Sequence, residues 1–148
     1  MALNLAKRIP DGATVLVDTN PLVYLFEGNR LAAQFAPIFA DIEAGRLQGL
    51  VTPITLAEIV SGPLRAGKEA LAARYHQALT ASFGWSLREL DADIAILSAR
   101  LRLVHRLKLP DAIQLATAVH EGCAALVTHN RDFTGVKDLP IIGLERKA

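Results

Sequence analysis

A single cysteine, Cys123, stands in a chain of 148 residues. One thiol forms neither an intramolecular disulfide nor a cysteine-based zinc cluster. Its surroundings near a helix end are apolar, which suits a packed residue. Histidine is nearly as scarce: His76, His105, His120 and His129 are scattered, with no His-x-x-x-His pair. No apolar run approaches the roughly 20 residues of a membrane-spanning helix. Lys7 and Arg8 are followed by no apolar stretch of the kind a signal peptide needs. A cytoplasmic protein without a membrane partner is the expectation. Neither sign of charge is in excess, since 16 Lys and Arg face 15 Asp and Glu. Any contact with nucleic acid must then come from a local basic patch. Internal repeats, low-complexity tracts and linkers are also missing.

What is present is apolar. Hydrophobic residues make up 51 % of the chain and the mean hydropathy is +0.28. This excludes disorder and leaves room for one sizeable core. The expected organisation is a single domain over 1–148, with a leader at 1–13 and a core at 14–144. The leader holds about one helical turn and is broken by Pro10-Asp11-Gly12. The hydropathy also predicts surplus apolar surface for a dimer or a partner.

The most informative stretch is Thr14-Val15-Leu16-Val17-Asp18-Thr19-Asn20-Pro21. Val15, Leu16 and Val17 are apolar without alternation, as in a strand buried on both faces of a parallel sheet. Asn20 before Pro21 reads as a helix cap and first helical residue. Asp18 thus falls at the carboxyl end of a buried strand, where open α/β sheets bind ligands. The same periodicities predict helices at 21–27, 31–44, 53–62, 66–83, 92–108 and 110–120, and strands at 47–52, 85–90, 124–128 and 140–144. Strands alternating with helices predict an α/β domain with a mostly parallel sheet and helices on both faces.

In such a sheet the strand ends and the helix starts that face them gather at one edge. Asp18, Glu58, Asp111, Thr128, Asn130 and Asp132 all fall at such positions. Each has an ordinary explanation. Thr55-x-x-Glu58 fits a capping box, Asp111 after Pro110 suits a helix dipole, and Asn130-Arg131-Asp132 suits a polar turn. Together they form a carboxylate cluster, which repels itself unless a cation compensates. Oxygen ligands without thiolate or imidazole select Mg²⁺ or Mn²⁺, and such a site suits phosphate chemistry.

The ordered set Leu16-Val17-Asp18-Thr19-Asn20, Leu56-Ala57-Glu58-Ile59 with Ser61-Gly62-Pro63-Leu64-Arg65-Ala66-Gly67, Leu109-Pro110-Asp111-Ala112-Ile113-Gln114-Leu115-Ala116-Thr117-Ala118, and Leu126-Val127-Thr128-His129-Asn130-Arg131-Asp132-Phe133 resembles the PIN-domain ribonucleases. Within them it is most similar to toxins of the VapC type from toxin–antitoxin pairs. The resemblance spans residues 16 to 133. It implies a metal-dependent endoribonuclease in which Asp18, Glu58 and Asp111 hold Mg²⁺ or Mn²⁺ and serve catalysis. The fourth acidic position of the family is Asn130 here, with Asp132 close by. An amide offers a neutral oxygen, so a second metal is expected to bind weakly. The resemblance further implies a homodimer, an RNA substrate and an antitoxin protein that occludes the acidic cleft. Thr19, Asn20, Thr128 and Arg131 are candidates for orienting water, phosphate or a carboxylate. Arg65, Lys68 and the Arg and Lys residues of 100–108 read first as solvated helix faces, and Tyr24, Phe26 and Trp85 read first as core. Two alternatives stay open: a metal-dependent phosphohydrolase acting on small phosphoesters, and a PIN-like binding module without activity. Asp18-Thr19-Asn20 lacks the second Asp that an aspartyl-phosphate enzyme uses, and Asn130 is the feature that favours inactivity.

Overall fold

The computed structural model describes residues 5–145, so the first four residues of the expected leader lie outside it. A 3-10 turn at Leu5–Arg8 supplies the leader's helical turn. Then follow β1 (Thr14–Val17), α1 (Thr19–Glu27), a 3-10 turn at Arg30–Gln34, α2 (Ala36–Glu43), β2 (Gln48–Val51), α3 (Pro53–Arg65) and α4 (Glu69–Ala81). The second half holds β3 (Trp85–Leu87), α5 (Ala92–His105), α6 (Leu109–His120), β4 (Ala125–Val127), a 3-10 turn at Arg131–Phe133, and β5 (Ile141–Ile142).

The five strands form one sheet in the order β3-β2-β1-β4-β5, and every pair is parallel. The central strand is β1. The chain adds β2 and β3 on one side of it, then crosses to add β4 and β5 on the other. The β1–β4 seam is therefore the switch point, where the crevice at the carboxyl ends opens. Val17 is in register with Val127 across that seam.

Both faces of β1 are sealed. Val15 and Val17 pack with Leu22 of α1, Ile38 and Ile42 of α2, Ile59 of α3 and Leu79 of α4. Leu16 faces the other way, onto Ile94 and Leu101 of α5 and Ala112, Leu115 and Ala116 of α6. This is why the strand shows no alternation. Helices cover both faces, as expected. Cys123 lies in the second core, where burial pushes its thiol up to about 11. Tyr24, Phe26 and Trp85 pack against the first core. Gly49 has no side chain because the Trp85 ring occupies the space, 2.6 Å from where a Cβ would stand.

Several boundaries move. Residues 31–44 are two pieces, not one helix. Pro37 sits in the first turn of α2 and cannot donate to the preceding turn, so the helix restarts at Ala36. In the other direction, α3 runs through Gly62 and Pro63 to Arg65, and α4 starts only at Glu69 after the left-handed Gly67. Strand β3 ends at Leu87, because Asp91 caps α5 shortly after it.

Candidate active site

Asp18 is the last residue before α1. Its backbone N–H donates to the Val127 carbonyl, which extends the β1–β4 ladder by one bond. Its extended backbone makes it the N-cap of α1, and its Oδ1 accepts from the Thr19 N–H. Asp18, not Asn20, is thus the cap. Asn20 instead accepts the His129 N–H on its Oδ1, tying the start of α1 to the loop after β4. Asp18 is 5 % exposed, and its carboxylate is surrounded by donors. Gln114 Nε2 reaches Oδ1 at 2.9 Å, and the Thr128 hydroxyl reaches Oδ2 at 2.7 Å.

Glu58 sits in the second turn of α3. The N-cap of that helix is Thr52, so the capping-box explanation for Glu58 does not hold. Its Oε1 accepts from the Thr19 hydroxyl at 2.6 Å. Asp111 is in the first turn of α6, brought to the same edge because α6 runs antiparallel to the strands before feeding β4. Asp18, Thr19, Asn20, Val23, Tyr24, Glu58, Asp111 and Asn130 line one cleft of about 260 Å³. That lining contains no Lys or Arg.

The electrostatics follow from this lining. Burial, then the nearby Asp18 charge, raise the Asp111 carboxyl above its ordinary 3.8. Asp132 and Glu58 add to the effect, and the Asn130 amide acts against it. Three acids therefore act on Asp111, and the cleft lining holds no Lys or Arg to offset them.

The remaining expected residues are placed less centrally. Asn130 lines the cleft, but its Oδ1 accepts the Asp132 N–H in a tight turn. Asp132 is exposed and does not line the cleft. The Arg131 guanidinium donates to the Leu144 carbonyl, away from the acids. Thr128 is fully buried, and its hydroxyl also accepts the Asn130 N–H.

Among the described residues, no group of three or more His, Cys, Asp or Glu side chains is arranged to hold a metal ion. Thr19 bonds both acids, its N–H donating to Asp18 and its hydroxyl to Glu58, and both oxygens of Asp18 already accept hydrogen bonds. The donor set nonetheless fits a hard divalent cation, because it is entirely oxygen and carries uncompensated negative charge. It fits one that binds through one or two carboxylates and keeps most of its waters, as Mg²⁺ does.

Sequence reasoning missed Gln114, Thr52 and Thr55. Gln114 donates to Asp18 and to the Thr55 hydroxyl, and it accepts from the Thr52 hydroxyl. The available signal was an amide inside α6, in the run Ala112 to Ala118, all of which is buried.

The PIN domain family model matches residues 15–139, and the chain belongs to that family. PIN domains of this kind are generally nucleases. Among solved structures, a chain of a toxin–antitoxin complex from Klebsiella pneumoniae is 35 % identical, with a TM-score of 0.67 over 84 % of this chain and 94 % of that one. VapBC2 from Rickettsia felis, bound to a DNA fragment from its promoter, matches at 18 % identity and a TM-score of 0.69, over 86 % of this chain and 96 % of that one. VapC20 from Mycobacterium tuberculosis, described as a toxin that cleaves the sarcin–ricin loop, matches at 15 % and 0.68, over 86 % and 98 %. The last two likenesses concern the fold. No curated protein matches the chain.

Proposed function

We propose that this protein is a Mg²⁺- or Mn²⁺-dependent endoribonuclease and the VapC-type toxin of a toxin–antitoxin pair. The observation that carries the reading is the cleft at the β1–β4 switch point, where Asp18, Glu58, Asp111 and Asn130 converge with no cation in the lining. The likeness to the Klebsiella pneumoniae toxin–antitoxin chain supports the biological setting.

Asp18, Glu58 and Asp111 are the proposed metal ligands, with Asn130 and Asp132 at the edge of the site. When bound, such an ion lowers the pKa of water and neutralises charge on phosphoryl oxygens. The chain's own residues do the rest. Thr19 and Thr128 orient Glu58 and Asp18 through their hydroxyls. Asn20 fixes the loop that carries His129 and Asn130. The carboxylates of Asp18, Glu58 and Asp111 at the cleft are the proton acceptors for the attacking water. The acids alone repel a polyanion, so RNA enters only against a neutralised cleft.

The proposed partners are an antitoxin protein that covers this cleft and a second copy of the chain. Ile96, Leu103 and Val104 lie seven and eight residues apart on α5 and are 57, 80 and 72 % exposed, which supports a dimer surface there. No described helix is long and apolar enough to cross a membrane, in keeping with a cytoplasmic role.

The test is thermal. Mn²⁺ at millimolar concentration raises the melting temperature of the wild type by mass action on the folded state, and Asp18→Asn removes most of the rise. A wild-type melting curve indifferent to Mn²⁺ overturns the reading.

A further inference from the structure

Gln114 has no place in the expected acidic set, yet its amide bonds three side chains of the site, Asp18, Thr52 and Thr55. It is 1 % exposed and sits one turn after Asp111 on α6. Its orientation is fixed by its neighbours. The carbonyl oxygen accepts from the Thr52 hydroxyl, while the amino group donates to Asp18 Oδ1 at 2.9 Å and to Thr55 Oγ1 at 2.8 Å. Turning the amide over would set its oxygen against the Asp18 carboxylate, so the network allows one arrangement.

The hydrogens can then be followed. Thr19 has one hydroxyl proton, and it goes to Glu58 Oε1 at 2.6 Å. The 3.0 Å contact between Thr19 Oγ1 and Thr55 Oγ1 must therefore be donated by Thr55. Thr55 in turn accepts from Gln114. One N–H of Gln114 ends directly on Asp18. The other ends on Glu58 through two hydroxyls. The two acids come from different elements, one after β1 and one on α3, and a single amide on α6 sets both.

The effect on Asp18 is specific. Oδ1 accepts from the Thr19 N–H and from Gln114, which fills both of its lone-pair directions. Oδ2 accepts only from Thr128 among the described residues, so one lone pair stays free. Resting on the metal-dependent reading above, we propose that Gln114 is a positioning residue. It occupies Asp18 Oδ1, so that Oδ2 is the oxygen left to hold an ion, and it aligns Glu58 through Thr55 and Thr19; in this way it would set the affinity of the cleft for its divalent ion. Groups that orient ligands in this way typically change metal affinity by about 10–100-fold when removed.

The experiment measures the Mn²⁺ concentration that gives half of the maximal thermal shift, together with kcat and KM for RNA cleavage. Gln114→Met keeps the length and loses both donors. Gln114→Glu keeps the oxygen facing Thr52 and replaces the amino group. Thr55→Val cuts only the arm toward Glu58 and serves as the third variant if either Gln114 change prevents folding. For both Gln114 variants the Mn²⁺ midpoint rises at least about tenfold. At saturating Mn²⁺ kcat falls, while KM for RNA stays within about twofold. Thr55→Val raises the midpoint by a smaller factor. Variants that melt earlier but keep the wild-type Mn²⁺ midpoint overturn the positioning role and leave the metal-dependent reading intact. A wild type with no Mn²⁺ shift overturns both.

Discussion

The hydroxyl of Thr128 donates a 2.7 Å hydrogen bond to Asp18 Oδ2, joining residues 110 positions apart in the chain. The contact exists because β1 and β4 are parallel neighbours with Val17 opposite Val127, so the residue after each strand meets the other. Thr128→Val leaves the Asp18 oxygen and the Asn130 N–H each short of a partner. We expect a loss of about 1–3 kcal/mol of stability, read by urea denaturation, and a higher Mn²⁺ requirement. A neutral substitution would mean that this hydroxyl does not support the carboxylate.

Gly143 guards the same place. At its φ of 116° a side chain is strained, and a Cβ there would collide with the Thr128 carbonyl oxygen. Gly143→Ala should cost about 2 kcal/mol or more and should weaken Mn²⁺ binding by displacing Thr128. A calorimetric melt with and without Mn²⁺ checks both parts.

The raised Asp111 carboxyl gives a pH dependence with a definite sign. Its folded-state pKa lies above the unfolded 3.8, so the folded state binds more protons between the two values. The associated stability is complete below the unfolded value and is lost as pH rises through the folded one. In EDTA, Asp111→Asn should therefore gain stability relative to wild type as pH increases across that window. Mn²⁺ should reverse the order. Parallel curves for the two proteins would contradict the burial and charge acting on Asp111.

The α5 stripe carries a prediction about assembly. Leu103→Glu combined with Val104→Glu should convert a dimer into a monomer in light scattering. The monomer's own stability should move by no more than about 0.5 kcal/mol, because both side chains are already exposed. A dimer that survives the pair would place the interface elsewhere.

The central strand was legible because Val15, Leu16 and Val17 must satisfy two cores at once, and only a strand covered on both faces does so. The alternation of elements and the convergence of Asp18, Glu58, Asp111 and Asn130 followed from the same pattern. Helix limits were harder to see. Pro37 and Pro63 look alike in sequence, yet Pro37 sits in the first turn of α2 and Pro63 in the last turn of α3. Asn20 resembled a cap, but its amide is needed by His129, and Asp18 took the position. Gln114 lies inside the Leu109 to Ala118 stretch that carries the resemblance, but its role there is not legible, because it arises only when three elements meet. Its only mark is a polar side chain in a helix segment buried on every side.

The most direct measurement is cleavage of a structured RNA by the purified chain, in Mn²⁺ and in EDTA, beside Asp18→Asn, Glu58→Gln and Asp111→Asn. Endonucleolytic cuts are expected in Mn²⁺ and none in EDTA. Each variant should lose at least about 100-fold in activity with unchanged circular dichroism. Cleavage that persists in EDTA, or in the Glu58→Gln variant, would contradict a metal-dependent site built on these acids.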